Sequence, residues 1–282
     1  MRRALLILFL LMPGLGLVVA VMGSVLYLAV MQSFGMFNFA GESTLSLEHW
    51  TKMFGERGFW RALQYSAYIA TTSSLIAVAL AYPLALLLRK PFKGSLLLNA
   101  LVKTPLLIPG LVAAFLFLNV VAHHGIINAA MVGLGVWERP VRMQNDANGY
   151  GVIFLQVWKQ MPFAFLLLTG AVRAIPDPVL LAARDLGAGS IARFRKIVVP
   201  MTTGAMQASL ILIFIGAAGD FSFQAVVGPT SANSLATMMN SIQSDTGDWN
   251  GAAVVAVTLM ALSLLGSSML ALAVQALQRA SR

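Results

Sequence analysis

The residues of this chain that could do chemistry are few, and they sit in unusual surroundings. Lys159 and Asp220 each interrupt a long apolar run. An ionisable group at membrane depth is costly and faces a cavity or a partner. Asp220 reads either as part of a polar path that attracts a cationic solute, or as an interfacial carboxylate paired with a neighbouring helix. Lys159 lies nine residues beyond Tyr150, roughly 14 Å along a helix. It reads as a pair for Asp220, a contact for an anionic solute, or a donor to carbonyls freed near Pro162. His123 and His124 are adjacent, and adjacent helical residues point apart, so with His49 they make no metal site. There is no cysteine, which removes disulfides, thiolate metal centres and a cysteine nucleophile. No phosphate-cradling G-x-x-x-x-G-K-[ST] loop occurs, and no carboxylate pair or activated nucleophile shares one membrane depth. The expectation is no catalytic residue, no metal and no cofactor held by this chain.

A different kind of chemistry is suggested between Leu181 and Pro200. Asp177-Pro178 starts a helix, since proline suits the first helical turn. Leu180, Ala183 and Gly187 follow at spacings of three and four, a face of small residues that another surface can approach closely. Gly187 is placed to stop this helix, and Ser190 to cap the next by accepting from its first free amides. Phe194 offers an apolar knob beside Arg193, Arg195 and Lys196, and Ile197 to Pro200 leads into the next apolar run. This pattern reads equally as a socket for a partner protein and as a solvated loop whose positive charge only sets topology.

The elements that position these groups follow from hydropathy. The 282 residues are 59% hydrophobic and 10% charged, with a mean hydropathy of +0.81. Soluble domains carry about 25% charged residues, so this chain is read as an all-α, multi-pass membrane protein. A crossing needs about 20 apolar residues. Six stretches qualify: 4–31, 62–88, 96–121, 150–172, 198 to about 223, and 251–277. The first follows Arg2-Arg3 as a signal peptide would, but far exceeds the 7–15 apolar residues of a cleaved signal, so it is expected to be a retained span.

Charge sets the orientation. With both termini inside, the inner pieces hold Arg2, Arg3, Arg89, Lys90, Lys93, Arg173, Arg184, Arg193, Arg195, Lys196, Arg279 and Arg282. The outer pieces hold Lys52, Arg57, Arg61, Arg139 and Arg142. Twelve against five satisfies the positive-inside bias. The net charge of +9 is therefore topological, and nucleic-acid binding has no support. In the outer segment 31–61, Leu45, Leu47, Trp50, Met53, Phe54, Phe59 and Trp60 recur near helical spacing. They predict an amphipathic helix at the headgroup level, with a binding surface as the alternative. Pro83, Pro105, Pro109 and Pro162 bend or interrupt the spans. Val227-Gly228-Pro229 and the stretch from Asp245 to Trp249 form an outer turn-rich connector, either a docking loop or a plain link.

Ala182-Ala183, Asp185, Gly187-Ala188, Phe194, Ile197 and Pro200 resemble, in order and spacing, the "EAA" loop of ABC-importer permease subunits of the type I binding-protein-dependent class. Ala81-Tyr82-Pro83, Pro105 to Pro109, Trp158-Lys159 and Pro162-Phe163 are similar to the same family. The likeness runs from about Trp60 to Leu272, and the outer loop before the last span is similar to that of polyamine, aminoethylphosphonate or iron permeases. Two positions depart. Leu181 stands where the family has glutamate, which removes one polar contact to the partner, and Gly189 stands where serine is frequent.

The resemblance implies a six-span type I permease fold in a bacterial cytoplasmic membrane. Residues 1–61 would form an N-terminal span and outer segment, 62–275 the core with a coupling loop at 174–199, and 276–282 an inner tail. The coupling loop, carried by Leu181, Ala182, Ala183, Asp185, Gly187, Ala188, Phe194, Ile197 and Pro200, would seat in a separate ATPase. Two such ATPases would use ATP to switch the spans between inward-open and outward-open states. A second permease chain, identical or homologous, would complete the path, and an extracytoplasmic binding protein would deliver a small polar solute. On the residues alone, an autonomous transporter coupled to an ion gradient remains the rival.

Overall fold

The computed structural model describes residues 2–38, 42–141 and 143–280, with the side chains of 2–9 and of Leu277, Arg279 and Ala280 left aside. The charges assigned to Arg142 and Arg282 lie outside the described residues, as do the side chains of Arg2, Arg3 and Arg279. Among the described residues all regular structure is helical, and six helices are long and apolar enough to cross a membrane.

The chain divides into two compact units. The first comprises 1–60 and 235–260, the second 61–234 and 261–282. In the first unit, α1 (Arg2–Ser33) is followed by the short α2 (Glu48–Gly55). Trp50 packs against Phe34 and, edge-on, against Phe54; Phe54 in turn meets Phe59 and Trp60 at ring separations of 5.4 and 5.6 Å. The Trp60 Nε1–H donates to the Phe54 carbonyl at 2.9 Å. The amphipathic reading of this segment holds for α2, with Met53 only 3% exposed, whereas Leu45 and Leu47 stay exposed. Asp248 accepts from the Gly251 amide at 2.7 Å at the start of the last helix and lies 3.8 Å from Lys52.

The second unit contains α3 from Arg61 onward (the whole helix is Arg57–Leu87), α4 (Ser95–Lys103), α5 (Gly110–Val121), α6 (Ile126–Gly133) and α7 (Tyr150–Arg173). It continues with α8 (Asp177–Asp185), α9 (Ser190–Arg193), α10 (Val199–Ala218) and α11 (Ser222–Val227). After α12 (Leu235–Ser241) of the first unit, α13 (Trp249–Ala280) begins in that unit and ends in the second. The core is built on α7 and α10: Phe165, Leu168 and Val172 from one, Leu210 and Ile213 from the other, joined by Ala77, Ala81 and Ala85 of α3. These three alanines recur every fourth residue on one face and are fully buried. Small residues let helices approach closely where lipid supplies no hydrophobic drive. Gly266 of α13 serves the same end, because a Cβ there would lie 2.2 Å from the Phe214 ring of α10. Gln207 Nε2 donates to the Ala271 carbonyl at 2.9 Å beside it.

Two expected spans shift. The stretch 96–121 is not one crossing: α4 tightens into a 3-10 turn at Thr104–Leu107, Ile108 is extended, and a new helix starts at Gly110. The cause is Pro109, since the residue before a proline is pushed out of the α region. The membrane-length apolar stretch here runs from Gly110 to Gly133, as α5 and α6 with a turn between them. The fifth span ends at Ala218, so Asp220 lies beyond it rather than within it.

Candidate functional site: the inner loop between the fourth and fifth long helices

The loop begins where α7 ends. Pro178 occupies the first turn of α8, as its fixed φ favours. Asp177 is in the same turn, where a negative charge meets the positive end of the helix dipole. The helix stops at Gly187, whose φ of +82° is open to glycine and strained for other residues. The Ala188 amide returns to the Ala183 carbonyl at 2.9 Å and the Gly187 amide to that of Arg184 at 2.9 Å, closing the helix end.

The expected cap at Ser190 is not formed. Gly189 is the residue before the turn, and the Ser190 hydroxyl accepts from Arg193 Nη2 at 3.4 Å instead. Ser190 is the first helical residue rather than the cap, so its hydroxyl is not placed to meet the amides two and three positions on.

The exposure of the loop is uneven. Neither α8 nor α9 buries a residue. Leu181 is 54% exposed, Leu186 89% and Ile191 75%, among polar neighbours. Ala182, Asp185 and Gly187 are also exposed, while Ala183 and Ala188 are half-buried. Phe194 is not the outward knob expected from its sequence context. It turns into the core and meets the Tyr82 ring edge-on, 5.4 Å between centroids. Tyr82 in turn shares a hydrogen bond with Thr202. Ile197 and Pro200 are half-buried at the entry to α10. The family motif therefore splits: its first part presents a surface, and its end seats the next helix.

The base of the loop is tied down by residues first read only as topological charge. Arg89, just past α3, donates from Nε to the Val172 carbonyl at 3.2 Å and from Nη2 to that of Ile175 at 2.6 Å. The same Nη2 is 2.9 Å from Asp177. Arg173 Nη2 donates back to the Leu88 carbonyl at 2.9 Å. These partners lie more than eighty positions apart in sequence, and no local pattern signals them.

Lys159 and Asp220 are not paired; among the described residues no ion pair joins them. Lys159 Nζ donates to the carbonyls of Pro105 (2.9 Å), Leu106 (3.3 Å) and Ile108. An ammonium has three donors, so all are engaged where the prolines interrupt the helix. The freed-carbonyl role is realised, at Pro105 to Ile108 rather than near Pro162. Asp220 accepts from the Phe223 amide at 2.9 Å and thereby starts α11. Burial pushes its carboxyl up to about 6, opposed by the amides of Phe223, Gln224 and Ser222. His123 and His124 lie in the turn between α5 and α6 with rings in edge contact at 4.8 Å, not on one helix. Among the described residues no cluster of three metal-ligating side chains occurs.

Known proteins resemble this chain in sequence and in fold. Residues 73–279 match the family of binding-protein-dependent transport system inner membrane components. The spermidine/putrescine transport system permease protein PotB of Escherichia coli (strain K12) is 27% identical over 224 residues, covering 78% of this chain and 80% of that protein. The thiamine transport system permease protein ThiP of Brucella abortus (strain 2308) is 30% identical over 210 residues, 73% of this chain and 37% of that longer protein. A solved bacterial ABC transporter involved in the import of the acidic polysaccharide alginate shares the fold. It has a TM-score of 0.77 at 16% identity and covers 99% of this chain and 96% of the other. The chain thus belongs to the binding-protein-dependent transport system inner membrane component family, the multi-pass permease subunits of ABC importers.

Proposed function

We propose that the chain is one half of an import path whose α8–α9 loop seats in a separate ATPase. The observation that carries this reading is the exposure of Leu181, Leu186 and Ile191 on both sides of the Gly187 break. Large apolar side chains left open within one short loop, among polar neighbours, suit a protein contact site. Leu181 in place of the family's glutamate makes this seat more apolar. Both termini lie on the cytoplasmic side, consistent with the twelve-to-five distribution of basic residues. Two ATPases, a second permease chain and an extracytoplasmic binding protein complete the machine. ATP binding draws the two loops together and shifts the spans between two states. Catalysis resides in the ATPase; this chain binds no nucleotide.

The solute is a small polar molecule, of the polyamine kind or similar. Two relatives carry names for organic cations, spermidine/putrescine and thiamine. Asp220, half-buried at the end of the fifth span, is the acidic group we assign to the path. Lys159 is assigned to support of the broken third crossing. The membership stated above sets aside an autonomous ion-coupled transporter.

The test uses the absence of native cysteine. A photoreactive probe on Ala182→Cys should crosslink to an ATPase subunit in intact membranes. Crosslinks to no such subunit, or labelling of that cysteine from the outer face, would overturn the proposal.

A further inference from the structure

We infer that Arg89 and Arg173 are reciprocal positioning residues that make α3 and the α7–α8 corner move as one body. The inference rests on the coupling role proposed above and names the helix that receives the motion. The last carbonyls of any helix lack intrahelical partners. Here each arginine fills that need for the other helix. Arg89 leaves the end of α3 to bond Val172 and Ile175 at the end of α7, and Arg173 leaves α7 to bond Leu88 at the end of α3. A cation at a helix C-terminus also meets the negative end of the dipole.

Asp177 ties the third element to the same joint. Its carboxylate pairs with Arg89 at 2.9 Å and lies 3.9 Å from Lys90. A push on α8 therefore reaches α3 through one guanidinium, without passing along α7. Leu88, Val172 and Ile175 are themselves buried in the core, so packing holds the ends of α3 and α7 together. Beyond them α8 buries no residue, and Arg89, Lys90, Arg173 and Asp177 border a cavity of about 580 Å³. The grip of the corner on α8 is given by directed polar bonds at the edge of that cavity, and cutting them loosens α8 from α3. Arginine is required here because its planar fork serves two carbonyls and a carboxylate together, whereas lysine is a point charge.

The test is a distance measurement in the full chain reconstituted in nanodiscs. Spin labels at Leu87→Cys, at the end of α3, and Val179→Cys, in α8, report the joint; both residues are exposed. The wild-type background should give one narrow distance distribution. R89Q with R173Q should broaden it into several populations, and R89K should fall between, keeping the Asp177 pair but losing a carbonyl bond. An unchanged distribution in R89Q/R173Q, or a wild type already broad, would overturn the inference. Failure of the coupling role itself would show separately, as a wild-type chain that retains no ATPase.

Discussion

The α2 segment and the α8–α9 loop are both short amphipathic insertions between long apolar helices, yet they end in opposite states. In α2 the apolar side chains find one another. Phe34, Trp50, Phe54, Phe59 and Trp60 form a continuous run of ring contacts. In the α8–α9 loop Leu180 leans on the core, but Leu181, Leu186 and Ile191 stand in the open. The difference separates an insertion whose apolar side chains are covered within its own unit from one whose apolar side chains stay uncovered.

This contrast makes four predictions, two on ATPase retention and then two on stability, each pair in descending size. Leu186→Asp should reduce the ATPase retained by the purified chain most, with loss of about 2 kcal/mol or more, as for a central interface residue. Titrating the ATPase onto nanodisc-held chain measures it. Gly187→Val should weaken retention about tenfold, because a left-handed conformation costs an L-residue about 1–2 kcal/mol. Membrane levels on immunoblots should not change, since a Cβ there meets no other atom within 4 Å. Phe54→Ala should lower local stability by about 2 kcal/mol by removing three ring contacts, seen as earlier unfolding by tryptophan fluorescence. It should leave ATPase retention intact; loss of retention would erase the distinction between the two insertions. Lys52→Gln should shift stability by under about 1 kcal/mol, as exposed pairs do, within the error of the same melt.

The apolar runs were legible because lipid imposes a length and a composition on any helix that crosses it. The helix, break and helix from Asp177 to Arg193 could be read from Pro178 and Gly187, residues whose backbone limits are local. Pro109 was visible as a bend, but not as the end of one helix and the start of another. That outcome depends on Lys159, fifty residues away, donating to the freed carbonyls. Arg89 and Arg173 were counted as inner charge, yet charge counting is blind to which carbonyl a guanidinium reaches. Phe194 was misjudged for a related reason: its neighbours Arg193, Arg195 and Lys196 are polar, while its true surroundings, Tyr82 and α10, lie elsewhere in the sequence.

Phe194–Val198 forms one wide π turn between α9 and α10. Each residue added to an α-helix advances its facing direction by about 100°. A five-residue hydrogen-bonded turn therefore resets the phase at the membrane boundary without ending the rod. Ile191 of α9 stands exposed while Phe194 packs inward, and Thr202 and Thr203 return their hydroxyls to the carbonyls of Val198 and Val199. The change of facing direction is thereby confined to a single turn, with a regular α10 beyond it.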